Sequence, residues 1–313
     1  MKLLRRLDNL RLGSAGCVVT IGSFDGIHIG HQALVRRACA RAAEQGLDSM
    51  LLSFEPLPRE FLRSDDPPAR LTDFRERWRL LEPMGLDWFC VLRFGARLRQ
   101  MSGREFMLLL RAARARRLVV GHDFRFGRGG EAGTEWCAAH AGEFGFEVEI
   151  VPPVRVDGER VSSGLVRDAV ACGEFARAAR LLGRAYSMRG RVRYGQQLGR
   201  TLGFATVNIA MRRRQLPLDG IFAVRVSGAG LAGWPGVASL GTRPTVNGVE
   251  PLLEAHLFDY AGDLYGRELE VEFVAKLRDE LRFEALDRMV EQMHRDAAAA
   301  RRVLAGAGAA RRE

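Results

Sequence analysis

Only two lysines, Lys2 and Lys276, stand among the 48 basic side chains of this 313-residue chain, whose formal charge is +10. The charge is therefore arginine's, and arginine, alanine and glycine recur along the whole chain, which points to a global compositional bias and not to a local basic patch. A basic surface attracts polyanions whatever their sequence, but no basic run here is interleaved with the aromatics that base stacking needs. A nucleic-acid partner is not expected, and a small anionic ligand needs only a few of these charges. Long apolar runs are missing too: no window approaches the roughly 18 uninterrupted apolar residues of a membrane span. The start, MKLLRRLDNLRLG, is basic but has no apolar stretch of signal-peptide length, so neither export nor membrane insertion is expected. Cysteine is scarce and odd in number, with Cys17, Cys39, Cys90, Cys137 and Cys172 and no CxxC pair. Cys17, Cys39 and Cys90 fall on apolar positions, so reduced core thiols and a cytoplasmic location are expected. There is no internal repeat, no long linker, and no low-complexity tract beyond the Ala/Arg/Gly tail after Leu304.

What is present is enough apolar material, 47% of the chain, for a sizeable core, and a length that suits two domains. Strand-like runs at 17–21, 49–54, 87–92, 117–121 and 146–152 alternate with helix-period stretches, notably 31–45 and 103–114. That alternation predicts an α/β first half, a parallel sheet wrapped by helices. Residues 164–172 and 174–183 read as two short helices broken at Gly173. From about residue 186 the rhythm changes to short alternating segments (RGRVRY, TVNIA, IFAVRVSG, GVASLG, LLEAHLFDY, RELEVEFVAKL) separated by Gly, Pro, Asn and Asp. This half reads as a compact antiparallel β-barrel. Leu286, Met289, Val290 and Met293 then place a terminal helix over 284–304 against it. The join is expected near Gly183 to Tyr186, giving domains at 1–183 and 184–313.

The densest chemistry lies in SFDGIHIGHQ, residues 23–32, between the apolar strand CVVTI and a helix-like run from about Gly30 to Gln45 closed by Gly46. Gly22, Gly26 and Gly30 let the backbone turn tightly and approach a ligand closely. Free N–H groups at the first helical turn, reinforced by the helix dipole, suit phosphate. His28 and His31, spaced i and i+3, can face the same side of that turn and donate to it, and a bound polyphosphate can keep an imidazole protonated near neutrality. As metal ligands the two histidines lack a third of suitable spacing nearby. As surface residues they would be ordinary elsewhere, but not inside GxFDGxHxGH directly after an apolar strand.

GSFDGIHIGH resembles the GxFDGxHxGH signature of the nucleotidyltransferase superfamily. Its companions FEPLPREF (54–61), GHDFRFGRGG (121–130), VSSGLVR (161–167), GRTLGFATVN (199–208), SLGTRPTVNG (239–248) and LEAHLFDYAGDLYGRELEVEFVAKLRDE (253–280), in this order, resemble the bacterial bifunctional riboflavin kinase/FAD synthetase family. The resemblance implies a Rossmann-like nucleotidyltransferase domain that transfers AMP from ATP to the phosphate of FMN, giving FAD and pyrophosphate. It also implies a β-barrel riboflavin kinase domain that phosphorylates riboflavin with ATP and Mg²⁺. In the first half it assigns catalysis to His28 and His31, and ATP contacts to Gly22, Phe24, Asp25, Gly26, Gly30, Asp123, Arg125, Ser162, Ser163 and Arg167. In the second half Glu254 matches the family's catalytic glutamate, which draws the proton from the ribityl hydroxyl. Thr206 and Asn208 match its PTAN element, which contacts Mg²⁺ and ATP. Gly195, Gly199, Arg200 and Gly203 match the phosphate-proximal loop, and Arg278 a residue near the flavin. The implied partners are small molecules alone (riboflavin, FMN and ATP), with no nucleic acid or membrane; the oligomeric state stays open.

The residues themselves allow plainer readings: Asp123 as a turn residue, Ser162 as an N-cap, Arg167 as a solvated helix charge, and Glu254 as an exposed strand carboxylate whose side Leu253 and Leu257 do not settle. Three positions depart from the family pattern. Leu57 stands where FEPxP usually has histidine, Gly164 removes the hydroxyl of SSTxxR, and Ala205 replaces the proline of PTAN. The first two fall in the adenylyltransferase half, which predicts FAD synthesis weaker than FMN synthesis. A chain active only as a kinase, with the first domain a scaffold, is the alternative. An RNA-binding regulator on an old nucleotide fold has no use for all three retained motifs.

Overall fold

The computed structural model describes residues 1–6, 15–195, 204–213, 215–245 and 248–309. They form two compact units, one of Met1–Pro68 with Phe74–Ser163 and one of Ala69–Asp73 with Gly164–Glu313. In chain order the first unit runs β1 (Lys2–Leu4), β2 (Cys17–Ile21), α1 (Ile29–Gln45), β3 (Asp48–Glu55), α2 (Pro58–Leu62), α3 (Phe74–Leu81), β4 (Trp88–Arg93), α4 (Ala96–Gln100), α5 (Gly103–Ala112), β5 (Ala115–Gly121), β6 (Arg125–Phe126), β7 (Ala132–Gly133), α6 (Thr134–His140), β8 (Glu147–Val151), β9 (Arg155–Val156) and β10 (Glu159–Arg160).

Six of these strands make a single parallel sheet in the order β1-β4-β3-β2-β5-β8. All five residues of β2 are buried, as a parallel strand covered on both faces requires. After β2 the chain builds outward through β3 and β4, then returns to pair β5 on the other flank of β2. The strand order therefore switches direction between β2 and β5, and the crevice beyond their carboxyl ends is where open α/β sheets bind ligands. The segments leaving those two strands are Gly22–His28 and His122–Phe124. Helix α1 covers the sheet with Val35, Ala38 and Ala42 and stops at Gly46, whose left-handed backbone (φ 62°) caps it.

The second unit carries α7 (Ser163–Ala171, from Gly164 on) and α8 (Phe175–Leu182), broken at Gly173 with φ +75° as expected. A closed antiparallel barrel follows, β11 (Ser187–Arg193), β12 (Thr206–Ala210), β13 (Gly220–Gly228), β14 (Leu231–Thr245), β15 (Gly248–Leu257) and β16 (Glu268–Arg278), in the order β11-β12-β15-β14-β13-β16. The terminal helix, Leu286–Ala309, packs Ala300 and Leu304 on Ala223 and Phe258 of the barrel. Helix α8 packs with the barrel of this unit, its Phe175 ring on Phe222 and Phe273 at 6.0 and 5.8 Å between centroids. The segment Ala69–Asp73 belongs to this unit because its carbonyls are claimed by side chains there. Arg167 Nε donates to Ala69 O (2.6 Å), Arg213 Nε to Arg70 O (3.1 Å) and Arg213 Nη2 to Leu71 O (3.1 Å).

Candidate active sites

The first candidate site is the turn from β2 into α1. Phe24 (φ 49°), Gly26 (φ 83°) and Ile27 (φ 43°) all lie in the left-handed region, which is costly for a bulky or β-branched residue. Complete burial of the Phe24 and Ile27 side chains helps to hold that conformation. Three carbonyls of the turn are gripped by side chains. Ser23 O accepts from Ser53 Oγ (3.1 Å) and Arg77 Nη1 (3.1 Å), Asp25 O from Ser163 Oγ (2.9 Å), and Ile27 O from Gln32 Nε2 (3.0 Å). Because each peptide is trans, fixing those carbonyls aims the N–H groups of Phe24, Gly26 and His28 the opposite way.

The two histidines do share one side of the helix start: their rings stack at 3.6 Å between centroids, 17° from parallel, with Phe24 packed beyond His31 at 4.9 Å. Gly30 is what permits this, since a Cβ there would meet the His28 ring at 3.1 Å. His28 is also the N-cap of α1, and its Nδ1 accepts from the His31 amide at 3.2 Å. That bond ties the His28 ring to the backbone of the helix start. From the neighbouring strand, Asp123 Oδ2 accepts from Arg160 Nη1 (2.8 Å), which also meets His122 Nε2 (3.2 Å). Arg125 Nε caps Gly130 O (2.9 Å), bracing the β6/β7 hairpin.

The second candidate site is a cross-strand row on the barrel. Glu254 on β15 lies directly opposite Asn208 on β12 and Ser239 on β14, so the three side chains share a face. Leu253, Ala255 and Leu257 are buried inside the barrel. Alternation therefore puts Glu254 on the outer face, where it is half-buried, which settles the side that the sequence left open. Thr206, two residues from Asn208, shares that face. Gly195 lies against Asn208, whose amide nitrogen would be 2.3 Å from a Cβ at that glycine. Gly199, Arg200 and Gly203 lie outside the described residues.

Residues 12–165 match the FAD synthetase family model and residues 182–304 the riboflavin kinase family model. The bifunctional riboflavin kinase/FMN adenylyltransferase of Escherichia coli K12 is 42% identical over 304 residues, 96% of this chain and 97% of that protein. The Pseudomonas fluorescens protein of the same description is 45% identical over 309 residues, 97% and 98% of the two chains. The chain belongs to the bifunctional riboflavin kinase/FMN adenylyltransferase family. A crystal structure described as a macrolide-efflux protein from Streptococcus pneumoniae matches at 30% identity with a TM-score of 0.79, over 96% of this chain and 98% of that one. Among the described residues here, no helix is long and apolar enough to cross a membrane.

Within this bifunctional riboflavin kinase/FMN adenylyltransferase architecture, two arginines read from the sequence as ligand contacts are engaged by the protein itself. Arg167 holds Ala69 O. Arg278 forms a fork on Asp296 of the terminal helix, Nη2 to Oδ2 at 2.6 Å and Nε to Oδ1 at 3.0 Å, while its Nη1 reaches Asp279 O at 2.8 Å. Arg278 is thus a clamp between β16 and the helix, and a flavin role for it rests on the resemblance alone. Ser163 meets the motif turn through Asp25 O, whereas Ser162 is half-buried beside it in sequence. Of the departures, Leu57 is buried at the start of α2, Gly164 is exposed, and Ala205 O accepts from His256 Nδ1 at 2.9 Å. Sequence reading missed three residues. Arg77 and Arg160 carry no motif signal and reach the site from remote elements. Glu280, whose Oε1 lies 3.5 Å from Ser239 Oγ, brings a second carboxylate to the Glu254 row.

Proposed function

We propose that the two activities of the family divide between the two units: FMN adenylylation on the β2/α1 turn and riboflavin phosphorylation on the outer row of the barrel. The observation that supports this reading is that the histidine pair lies in one unit and the Glu254–Asn208 row in the other. His28, His31, Gly30 and Asp123 belong to the first, and Glu254, Asn208, Thr206 and Gly195 to the second. In the first, an FMN phosphate oxygen attacks the α-phosphorus of ATP and pyrophosphate leaves. The phosphate is already an adequate nucleophile, so the protein's work is positioning and charge stabilisation. The His28 and His31 rings and the N–H groups at the start of α1 supply both, with Gly22, Phe24, Asp25 and Gly26 shaping the turn and Asp123, Arg125, Ser162 and Ser163 assigned around it from the resemblance.

In the second unit the nucleophile is a hydroxyl, which needs a base. Glu254 takes the proton from the terminal ribityl hydroxyl as the hydroxyl oxygen attacks the γ-phosphorus of ATP and ADP leaves. Thr206 and Asn208 offer hard neutral oxygens, the donor type Mg²⁺ accepts alongside phosphates and water, and the placement of Asn208 opposite Glu254 brings them to the reacting end. Mg²⁺ held by these oxygens would neutralise charge on the triphosphate. Gly195, Gly199, Arg200 and Gly203 are assigned phosphate contacts from the resemblance, and Arg278 fixes the terminal helix on the barrel. All five cysteines are free, which fits a reducing cytoplasmic setting.

Chromatography of the flavins made from riboflavin, ATP and Mg²⁺ tests the assignment. Wild type is expected to yield FMN and FAD. His31→Ala is expected to yield FMN with FAD formation down about 10²- to 10³-fold, and Glu254→Ala to lose about 10²- to 10⁴-fold in FMN formation while still converting added FMN to FAD. The second reading, a chain active only as a kinase, is favoured by Leu57 and Gly164. It predicts FMN alone from wild type.

A further inference from the structure

Arg77 on α3 has no exposed surface. Placing a guanidinium wholly out of water is expensive unless its hydrogen bonds are met, so where its donors go is informative. Nη2 pairs with Glu55 Oε2 at the end of β3 (2.6 Å), and Nη1 donates to both Ser53 Oγ (3.0 Å) and Ser23 O (3.1 Å). Ser53 Oγ in turn donates to the same Ser23 carbonyl (3.1 Å). A salt bridge tying α3 to β3 would be complete with Glu55. The additional grip on Ser23 is made to the first peptide of the strained turn, directly before Phe24 with its φ of 49°.

We propose that Arg77 is a positioning residue for adenylyl transfer. It holds the Ser23 carbonyl, fixes the Ser23–Phe24 peptide, and thereby sets the direction of the Phe24 N–H and the entry of the chain into the His28/His31 turn. Glu55 and Ser53 orient the guanidinium for that task. The inference rests on the reading that this turn holds the phosphates of ATP. It belongs to one activity only, which gives the chain an internal control: riboflavin phosphorylation takes place on residues of the other unit.

The test uses the full chain with Arg77→Met, Arg77→Lys and Ser53→Ala, measuring FMN adenylylation with ATP and FMN varied separately, riboflavin phosphorylation on the same preparations, and thermal unfolding. Displacing a reacting group by about 1 Å costs on the order of a hundredfold. Arg77→Met is therefore expected to lower kcat/KM for ATP in adenylylation by about 30- to 100-fold, with KM for FMN and riboflavin phosphorylation within about twofold of wild type. Arg77→Lys, which keeps a donor and the charge, is expected to recover most of that loss. Ser53→Ala removes one grip on Ser23 and one acceptor of Arg77 Nη1 while leaving the Arg77–Glu55 pair in place, and is expected to cost about fivefold in the same parameter with a smaller loss of melting temperature than Arg77→Met; it keeps the proposal testable should Arg77→Met fail to fold. Wild-type kcat/KM for ATP in either Arg77→Met or Ser53→Ala, whatever the melting temperature, overturns the proposal. His31→Ala separates the two layers: if it too adenylylates normally, the turn is not the ATP site, whereas loss in His31→Ala with normal Arg77→Met and Ser53→Ala refutes only the role of Arg77.

Discussion

Burial decides the chemistry of single residues here as much as identity does. Cys17, Cys90 and Cys137 are all fully enclosed, and desolvation pushes each thiol up to about 12. Near pH 8 a thiol with that pKa is ionised only to about one part in 10⁴, so it is a poor nucleophile even when reached. Burial also raises Cys39, which is half-buried, while Cys172 is exposed. A chromogenic disulfide titrated against the native protein at pH 8 is expected to consume Cys172 first. Cys17, Cys90 and Cys137 should react only as the chain unfolds, and fast reaction of more than two thiols would contradict the packing. The pairing of His28 with His31 is written in the sequence as a spacing, whereas the hydrogen bond from the His31 amide to the His28 ring exists only once α1 has formed.

At the scale of elements, the terminal helix shows how a recognised residue can hold structure. Besides Ala300 and Leu304 in the apolar contact, it is tied down by Arg278 on Asp296, by Arg301 on Asp259 (2.8 Å), and by Arg225 Nη2 on the Leu304 carbonyl (3.0 Å). Asp296 is buried, and Gln292 Nε2 also donates to it at 2.9 Å. Truncating Arg278 strands that carboxylate, and a broken buried pair costs about 3–5 kcal/mol; because Arg278 is partly exposed, Arg278→Ala is expected to lower stability by about 2–3 kcal/mol. Asp296→Asn, which keeps acceptor capacity without the charge, is expected to cost less in denaturant unfolding. If Arg278 instead serves the flavin alone, stability should stay at the wild-type level while KM for riboflavin rises. The main strands, α1, α5 and the barrel were readable because each carries an unbroken period of apolar residues bounded by glycine or polar turns. Short elements such as β1, α2 and α4 were not, being three to five residues long and held by their neighbours more than by their own pattern. The inclusion of Ala69–Asp73 in the second unit was equally unreadable, because it depends on arginines at 167 and 213.

For the whole molecule, two family domains on one chain make the activities comparable within a single preparation, and the departures from the family pattern fall unevenly between them. Leu57 opens α2 in the first unit with an apolar side chain that is 5% exposed. It can neither donate a proton nor carry charge where the family usually has histidine. Gly164, one residue past Ser163, has no hydroxyl to offer beside the serine that grips Asp25 O. In the kinase half, Ala205 replaces proline but leaves Thr206 and Asn208 in register with His256 and Glu254. Losing one charge-stabilising contact costs about 2–4 kcal/mol in the transition state, a hundredfold or more in rate. With separately saturating substrates, FMN adenylylation is therefore expected to run well below riboflavin phosphorylation, so that FMN accumulates before FAD. Leu57→His and Gly164→Thr should raise the adenylylation rate and leave phosphorylation where it was. Equal turnover in wild type would show that backbone donors of the β2/α1 turn and its two histidines carry the transition state without help from either missing group, and restoration variants would then change nothing.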